Sequence, residues 1–243
     1  MCRPWGRNLF VPCNDSIRGG KSNSTWSIHF EHFPLPVFPE DRVRDGNLPR
    51  STAIFSGYLA PLPNRSNAAF ASQRTPDTYQ CPDLSGYDGL VIDVPASDGK
   101  TYTVVLKDVV PRKRPDGRDE STVVWEHNFF CPGSGGGGRV VLHFENFKPF
   151  YRGKELKRED VPPLNLSNIT RISIMIRSFF GKQRDNFIIC FLLITAFKYL
   201  TDPVKEHGST VKDKSAAGRW AAFLRRARER WNRWKQMLIA ALS

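Results

Sequence analysis

The chain has 243 residues, 40% of them hydrophobic, which is enough apolar material for a sizeable core. Its formal net charge of +12 favours acidic partners such as an anionic membrane surface, nucleic acid or an acidic protein face. No stretch reaches the roughly 18 apolar residues of a membrane span, and the longest, "FIICFLLITAF" from Phe187 to Phe197, has eleven.

The opening "MCRPWGRNLFVPC" carries cations and no acid, but it lacks a signal peptide's apolar core, and its prolines break an amphipathic transit helix. Five cysteines at wide spacing (Cys2, Cys13, Cys81, Cys131 and Cys190) form no CxxC or CxxxC pair, so they are read as reduced, structural thiols rather than zinc ligands. Asn-x-Ser/Thr sequons begin at Asn14, Asn23, Asn64, Asn165 and Asn168; without a secretion signal they read as chance matches. The Pro-rich segment from His32 to Arg50 reads as an extended loop.

From there the chain alternates short runs rich in Val, Ile, Phe and Tyr with turn signals. The expected strands are "TAIFSGYL", "GLVIDVP", "TYTVVLKDV", "STVVWEHNFF", "RVVLHFENF", "RISIMIRSFF" and "NFIICFLLITAF", separated among others by "YDG", "SDGK", "PDG" and "GSGGGG". In "TYTVVLKD", Tyr102, Val104 and Leu106 point to one face and Thr101, Thr103, Val105 and Lys107 to the other, which predicts a half-buried antiparallel strand. Asp98 and Gly99 suit a tight hairpin. "GSGGGG" lacks the Lys-Ser/Thr and helix of a phosphate loop, and it reads as a flexible hairpin loop. The run from Phe187 to Phe197 reads as a strand buried on both faces. Seven or more strands with no helical pattern between them predict a two-sheet sandwich.

The segment "FENFKPFYRGKEL", Phe144 to Leu156, fits neither a helix nor a strand period. Phe144 and Phe147 are expected to plug the core where a strand leaves its sheet, with Tyr151, Arg152, Lys154 and Lys157 as an exposed basic continuation. The tail changes period. Trp220, Phe223, Leu224, Ala227, Trp231, Trp234 and Leu238 recur in steps of three and four, and Arg225, Arg226, Arg228, Arg230 and Arg233 fill the rest of the circumference. This predicts a basic amphipathic helix over 218–242 after a linker at 201–217. Its apolar stripe suits packing on the sandwich, an anionic membrane interface or a partner's groove. Nine Lys or Arg against three acids from Glu206 to Ser243 place half of the chain's charge excess there.

Catalytic signatures are missing from the sequence: there is no GxSxG, HExxH or GxGxxG, and the histidines (His29, His32, His127, His143 and His207) share no ligand-like spacing. The basic charge comes without a zinc finger, RNP-like strand or recognition helix, so nucleic acid is not an expected partner. No cofactor or metal is expected.

Several blocks in order resemble the complex I intermediate-associated protein family, which includes an assembly factor of mitochondrial NADH:ubiquinone oxidoreductase. They are "NDSIRGGKSNST", "AIFSGYL" with "AAFASQRT", "GYDGLVIDVPASDGKTYTVVLKD", the "FENFKPFYRG" block and "ITRISIMIRSFFGKQRDNFIICFLLITAF". The resemblance runs from Asn8 to Lys198, with departures at Asn67, Ala68 and Ala69, where glycines are frequent, and at Leu9 and Phe10, near a frequent Trp. It implies a galactose-binding-like jelly roll over 8–200. In function it implies a non-enzymatic assembly factor on the matrix side of the mitochondrial inner membrane, binding complex I intermediate subunits and other assembly factors. Arg74, Tyr151, Arg152 and Lys154 are the candidate partner contacts of the sandwich, and Trp220, Phe223, Arg226, Arg230, Trp231 and Trp234 those of the tail toward membrane or partner. The alternatives are a carbohydrate-binding or other protein-binding jelly roll, and a cytosolic location.

Overall fold

The computed structural model describes residues 5–6, 8–31, 50–63, 66–133 and 137–199. All seven segments read as strands form strands, and shorter ones join them. In chain order they are β1 (Val11–Pro12), β2 (Asn23–Glu31), β3 (Arg50–Leu59), β4 (Phe70–Arg74), β5 (Gly89–Val94), β6 (Ala96–Ser97) and β7 (Thr101–Lys107). The second half adds β8 (Val124–Phe130), β9 (Gly138–His143), β10 (Lys148–Tyr151), β11 (Lys154–Glu155), β12 (Arg171–Arg177), β13 (Asp185–Phe191) and β14 (Leu193–Phe197). Every pairing is antiparallel among the described residues. One sheet has the order β1-β4-β12-β7-β8-β10-β11.

The other strands make β2-β3-β13-β6 and β14-β5-β9, and these are two halves of one layer. β5 and β6 are separated only by Pro95, and β13 and β14 only by Leu192. Ile189 pairs with Ser97 and Leu193 with Asp93, so the register carries through the break. Pro95 has no N–H to give the ladder. The alternation changes phase there: Phe187, Ile189 and Phe191 enter the main core from β13, whereas Ile194 and Ala196 do so from β14.

The two layers pack face to face around Phe55, Tyr102, Phe129, Ile174, Phe187 and Phe191. The Tyr102 ring lies 6.1 Å from Phe55 and 6.5 Å from Phe187, both across the sandwich, at edge-on angles that suit aromatic quadrupoles. Its hydroxyl donates to Asp98 Oδ1 at 3.0 Å, so the most buried tyrosine keeps a partner. Burial, and then the Asp98 carboxylate beside it, push its ionisation well above the ordinary tyrosine range.

Three expectations need correction. β7 is buried on both faces, because Thr103 and Val105 are covered on the outer side as fully as Tyr102 and Val104 on the inner. Asp98 and Gly99 do not close a hairpin: β6 pairs in one layer and β7 in the other, so the turn carries the chain across the sandwich. Asp98 fixes it by accepting from the Lys100 amide at 3.1 Å and the Ile188 amide at 3.1 Å. The Gly-rich segment also joins strands of different layers, β8 and β9, rather than hairpin partners. For the Phe187 to Phe197 run, both-face burial holds in β13, where Cys190 packs with Ile54 and Ala96 on the outer side, but β14 is only half-buried. The expected tail helix lies outside the described residues.

The block "NDSIRGGKSNST" folds into a buried polar knot at the sandwich entrance. A 3-10 turn over Asp15–Arg18 ends at Gly19, whose φ of 74° is left-handed. Asp15, buried, accepts from the Ser22 amide at 3.0 Å, the Ser22 hydroxyl at 2.8 Å and the Phe70 amide at 3.2 Å. Asn14 accepts from the Ser24 hydroxyl and the Ser72 amide, and Gln73 donates to Ser24. The knot ties the N-terminal segment to β2 of one layer and β4 of the other.

Candidate functional site

The outward face of the seven-stranded sheet is a polar surface whose charged side chains pair with one another. Residues directly opposite one another share a face, so the register sets its rows. One row runs Arg74, Ser173, Val105, Glu126, Lys148; beside it Arg171 of β12 pairs with Lys107 of β7, and Val124, Phe150 and Glu155 pair across β8, β10 and β11.

Arg74 sits at the end of β4, half-buried rather than exposed as expected. It donates through Nη1 to Asp77 at 2.9 Å and to the Thr75 carbonyl at 3.0 Å. Asp77 also takes Arg171 at 2.5 Å, and Arg171 bridges on to Asp119 at 3.2 Å, which holds Lys113 at 2.5 Å. Burial of the Asp77 and Asp119 carboxylates opposes ionisation. The hydrogen bonds and charges of Arg74, Arg171 and Lys113 outweigh it and hold both below the usual aspartate value.

Farther along, Arg177 of β12 reaches across β7 to Glu126 on β8, and its guanidinium lies 5.5 Å from the Phe150 ring and 5.2 Å from that of Phe179. Glu126 is 7% exposed, and desolvation raises its pKa against the opposing pull of Arg177. Lys107 stands between these groups. Desolvation first, and then the Arg171 charge, lower its pKa against the opposing pull of the Asp119 carboxylate, and among the described residues its ammonium has no hydrogen bond or ion pair.

The "FENFKPFYRGKEL" segment divides as expected. Phe144 (7% exposed) and Phe147 (0%) are in the core, on a 3-10 turn that carries the chain from β9 in one layer to β10 in the other. Arg158, which sequence reasoning passed over, clamps this turn. It donates to the carbonyls of Glu145 and Phe147 and covers the Trp125 ring at 5.5 Å.

Tyr151, Arg152 and Lys154 then form an exposed two-residue hairpin in which Tyr151 pairs with Lys154. Arg152 (φ 51°) and Gly153 (φ 80°) both take the left-handed conformation that a primed hairpin turn requires. Arg152 Nε donates to Ser121 Oγ at 3.2 Å, which joins this hairpin to the basic loop "PRKRPDGRDE" at 111–120. The structure therefore groups Tyr151, Arg152 and Lys154 at the β11 edge, while Arg74 lies across the sheet on β4.

A second feature lies at the rim, where β3 ends and β13 begins. A cleft of about 380 Å³ is lined by Tyr58, Pro61, Asn67, Phe180, Arg184 and Asp185, among others. Ser66, Asn67, Phe179, Phe180 and Asp185 all have positive φ. Two successive phenylalanines in this region are a steric outlier, of the kind found where a loop is over-determined by its surroundings. Ser178 and Gln183 hold the loop: the Ser178 hydroxyl donates to the Asn67 carbonyl at 2.6 Å, and Gln183 Nε2 donates to the Arg177 carbonyl at 2.7 Å. Phe180 is 76% exposed. "RSFFGKQRD" reads as the end of a strand, so only its unusual Phe-Phe-Gly could have pointed here.

Among the described residues, no group of three or more His, Cys, Asp or Glu could hold a metal ion. Cys131 and Cys190 are buried, with thiols pushed up to about 11 and about 12 by desolvation, so they are not poised as nucleophiles. Residues Trp220, Phe223, Arg226, Arg230, Trp231 and Trp234 of the tail lie outside the described residues.

Among solved structures, the chain is similar to the family 11 carbohydrate-binding module of the cellulase Lic26A-Cel5E of Clostridium thermocellum. That likeness has a TM-score of 0.47 and 11% identity, over 80% of this chain and 91% of that one. It is also similar to an exo-beta-agarase, with a TM-score of 0.41 and 14% identity, over 73% of this chain and 23% of that one. A Schizosaccharomyces pombe protein described as uncharacterized is 31% identical over 183 residues, 75% of each chain. The model of complex I intermediate-associated protein 30 matches residues 7–191, from the segment before the Asp15 knot through the end of β13, and the chain belongs to that family.

Proposed function

We propose that this protein is a non-enzymatic assembly factor that binds an intermediate of mitochondrial respiratory complex I. The observation that carries the reading is the family match, which spans the whole core of the sandwich. The described surface is compatible with transient binding. It offers an exposed edge with Tyr151, Arg152 and Lys154 at one side and a rigidly presented aromatic at the other, without an assembled catalytic constellation among the described residues. In this reading the protein covers the apolar surface of a partly built membrane arm until the next subunit arrives. The basic tail, with Trp220, Phe223, Arg226, Arg230, Trp231 and Trp234, docks at the anionic matrix face of the inner membrane.

The test is native gel electrophoresis of mitochondria from cells lacking the gene, stained for NADH dehydrogenase activity and probed for membrane-arm subunits. Loss of mature complex I with accumulation of a subcomplex, restored by the full chain, is expected. Normal complex I in the deletion refutes the reading. Flotation with cardiolipin-containing vesicles tests the tail, and binding that persists after removal of residues 206–243 removes it from that role.

A second reading, a carbohydrate-binding module without a complex I role, draws on the cleft where the rings of Tyr58 and Phe180 stand exposed beside Asn67, Arg184 and Asp185. A glycan array separates the two classes.

A further inference from the structure

The ion-pair line on the open face is unbalanced. Arg74, Arg171 and Lys113 are three cations sharing the two carboxylates of Asp77 and Asp119. Lys107 is the direct cross-strand partner of Arg171 and so stands on the same face. It adds a fourth positive charge, which feels the Asp119 carboxylate but has no hydrogen bond or ion pair of its own among the described residues. Arg171 spends both terminal nitrogens on its two acids, but Arg74 uses only Nη1.

The setting makes this imbalance costly. Arg171 is 8% exposed, Val105 beside Lys107 on the same strand is also 8%, and Lys107 itself is only half-exposed. Water compensates a half-buried ammonium poorly, and screening by salt is weaker there than at an open surface. The Thr122 hydroxyl, two residues before β8 begins at Val124, is buried without a partner, as is Arg177 Nε at the far end of β12. Positive charge exceeds negative along this ion-pair line, at the end of β12 that carries Arg171.

We propose that Lys107, with Arg74, Arg171 and Lys113, forms a binding site for a single oxyanion, a carboxylate or phosphate group. The ligand oxygen takes the Lys107 ammonium and the free side of the Arg74 guanidinium, while Asp77 and Asp119 hold the remaining donors in place. The group belongs to an acidic polypeptide, a free phosphate compound or a lipid headgroup, and all three present the same oxygen acceptors. The site follows from the charge balance of the sandwich and stands or falls independently of the complex I reading.

The test uses the full chain with carbon-13 methylated lysines, the Lys107 signal being assigned by its loss in Lys107→Arg. The three probes are inorganic phosphate, an acetylated Glu/Asp-rich peptide, and phosphatidylcholine vesicles with phosphatidylglycerol. Each is titrated while the Lys107 signal and its pH midpoint are followed. At least one probe is expected to shift the signal saturably and raise the midpoint, because a bound anion favours the charged ammonium. In Lys107→Met, affinity for that probe falls at least about tenfold, and the unfolding midpoint in anion-free buffer stays level or rises.

The probe acting at the lowest concentration identifies the source of the oxyanion: phosphate alone, an acidic polypeptide, or a headgroup. A Lys107 signal unmoved by all three overturns the proposal. Undiminished binding by a folded Lys107→Met also overturns it, and the signal of the native chain decides the matter if that variant does not fold.

Discussion

Gly20 stands against Asp15 with no room for a side chain: a Cβ built there falls 2.1 Å from the Asp15 Cγ and 2.2 Å from its Oδ1. Gly20→Ala must therefore push the carboxylate aside. That carboxylate is the acceptor for the Ser22 amide, the Ser22 hydroxyl and the Phe70 amide. The hydroxyl can rotate, but the two amides are fixed by the backbone and are lost together. Hydrogen bonds to a charged group are worth roughly 1.5–3 kcal/mol each, so the substitution costs about 3–6 kcal/mol. Asp15→Ala removes the same acceptor and should cost a similar amount.

The discriminating measurement is the double-mutant cycle in urea. Once Asp15 is Ala, the three atoms nearest the new methyl at position 20 are gone, and Gly20→Ala is expected to add less than about 1 kcal/mol. Additive losses in the double variant would refute the assignment, because they would mean that Gly20 serves the fold by some route other than room for Asp15.

Three further outcomes follow from described geometry. Arg152 holds a left-handed φ that costs an L-residue roughly 1–2 kcal/mol, and its hydrogen bond to Ser121 is exposed. Arg152→Asn and Arg152→Gly should therefore raise the urea midpoint slightly, whereas Arg152→Val lowers it; equal midpoints for all three would contradict the turn assignment. Asp77 and Asp119 have folded pKa values below the usual 3.8, so their pairs contribute stability that is present above that value and lost as pH falls below it. Asp77→Asn with Asp119→Asn should flatten the acid limb of the unfolding profile below pH 4 and leave a lower plateau at pH 7, as followed by circular dichroism. The thiols of Cys81, Cys131 and Cys190 are raised to about 11, about 11 and about 12, so iodoacetamide at pH 8 should label them in the native chain far more slowly than in urea, as read by mass spectrometry.

The strand pattern was legible because residues such as Tyr102, Val104 and Leu106 alternate locally, and local alternation is what a half-buried strand writes into a sequence. Layer assignment was not. The turn at Asp98 and Gly99 has the same residues whether it closes a hairpin or carries the chain between sheets. The difference lies in Ile188, some 90 positions away, whose amide Asp98 accepts. Burial of Thr103 likewise depends on the fold: its hydroxyl donates to Asn128 Oδ1, which also accepts from Arg177, and these strands meet only in the sandwich. Phe144 and Phe147 could be placed in the core because bulky apolar residues beside charged ones divide naturally between inside and outside. For Arg74 the sequence offered charge without context. The structure supplies Asp77 three residues on and shows the side chain held through Nη1, with only its other side left open.

This distinction bears on where partners bind. The first block of the family resemblance, "NDSIRGGKSNST", is consumed by the fold: Asn14, Asp15, Ser22 and Ser24 spend their side chains on one another and on β4. Arg158 and Asp98 are similarly committed to turns between layers. Substitutions at those positions should abolish any activity through instability, and they carry no information about recognition. The informative positions are those the fold does not need, namely Lys107 without an acceptor, Lys154 at the hairpin edge and Phe180 on its strained loop. Surface changes away from structural features usually alter stability by no more than about 0.5 kcal/mol. A loss of binding at Lys154 or Phe180 with an unchanged unfolding midpoint therefore reports recognition directly, which no residue of the N-terminal knot can do.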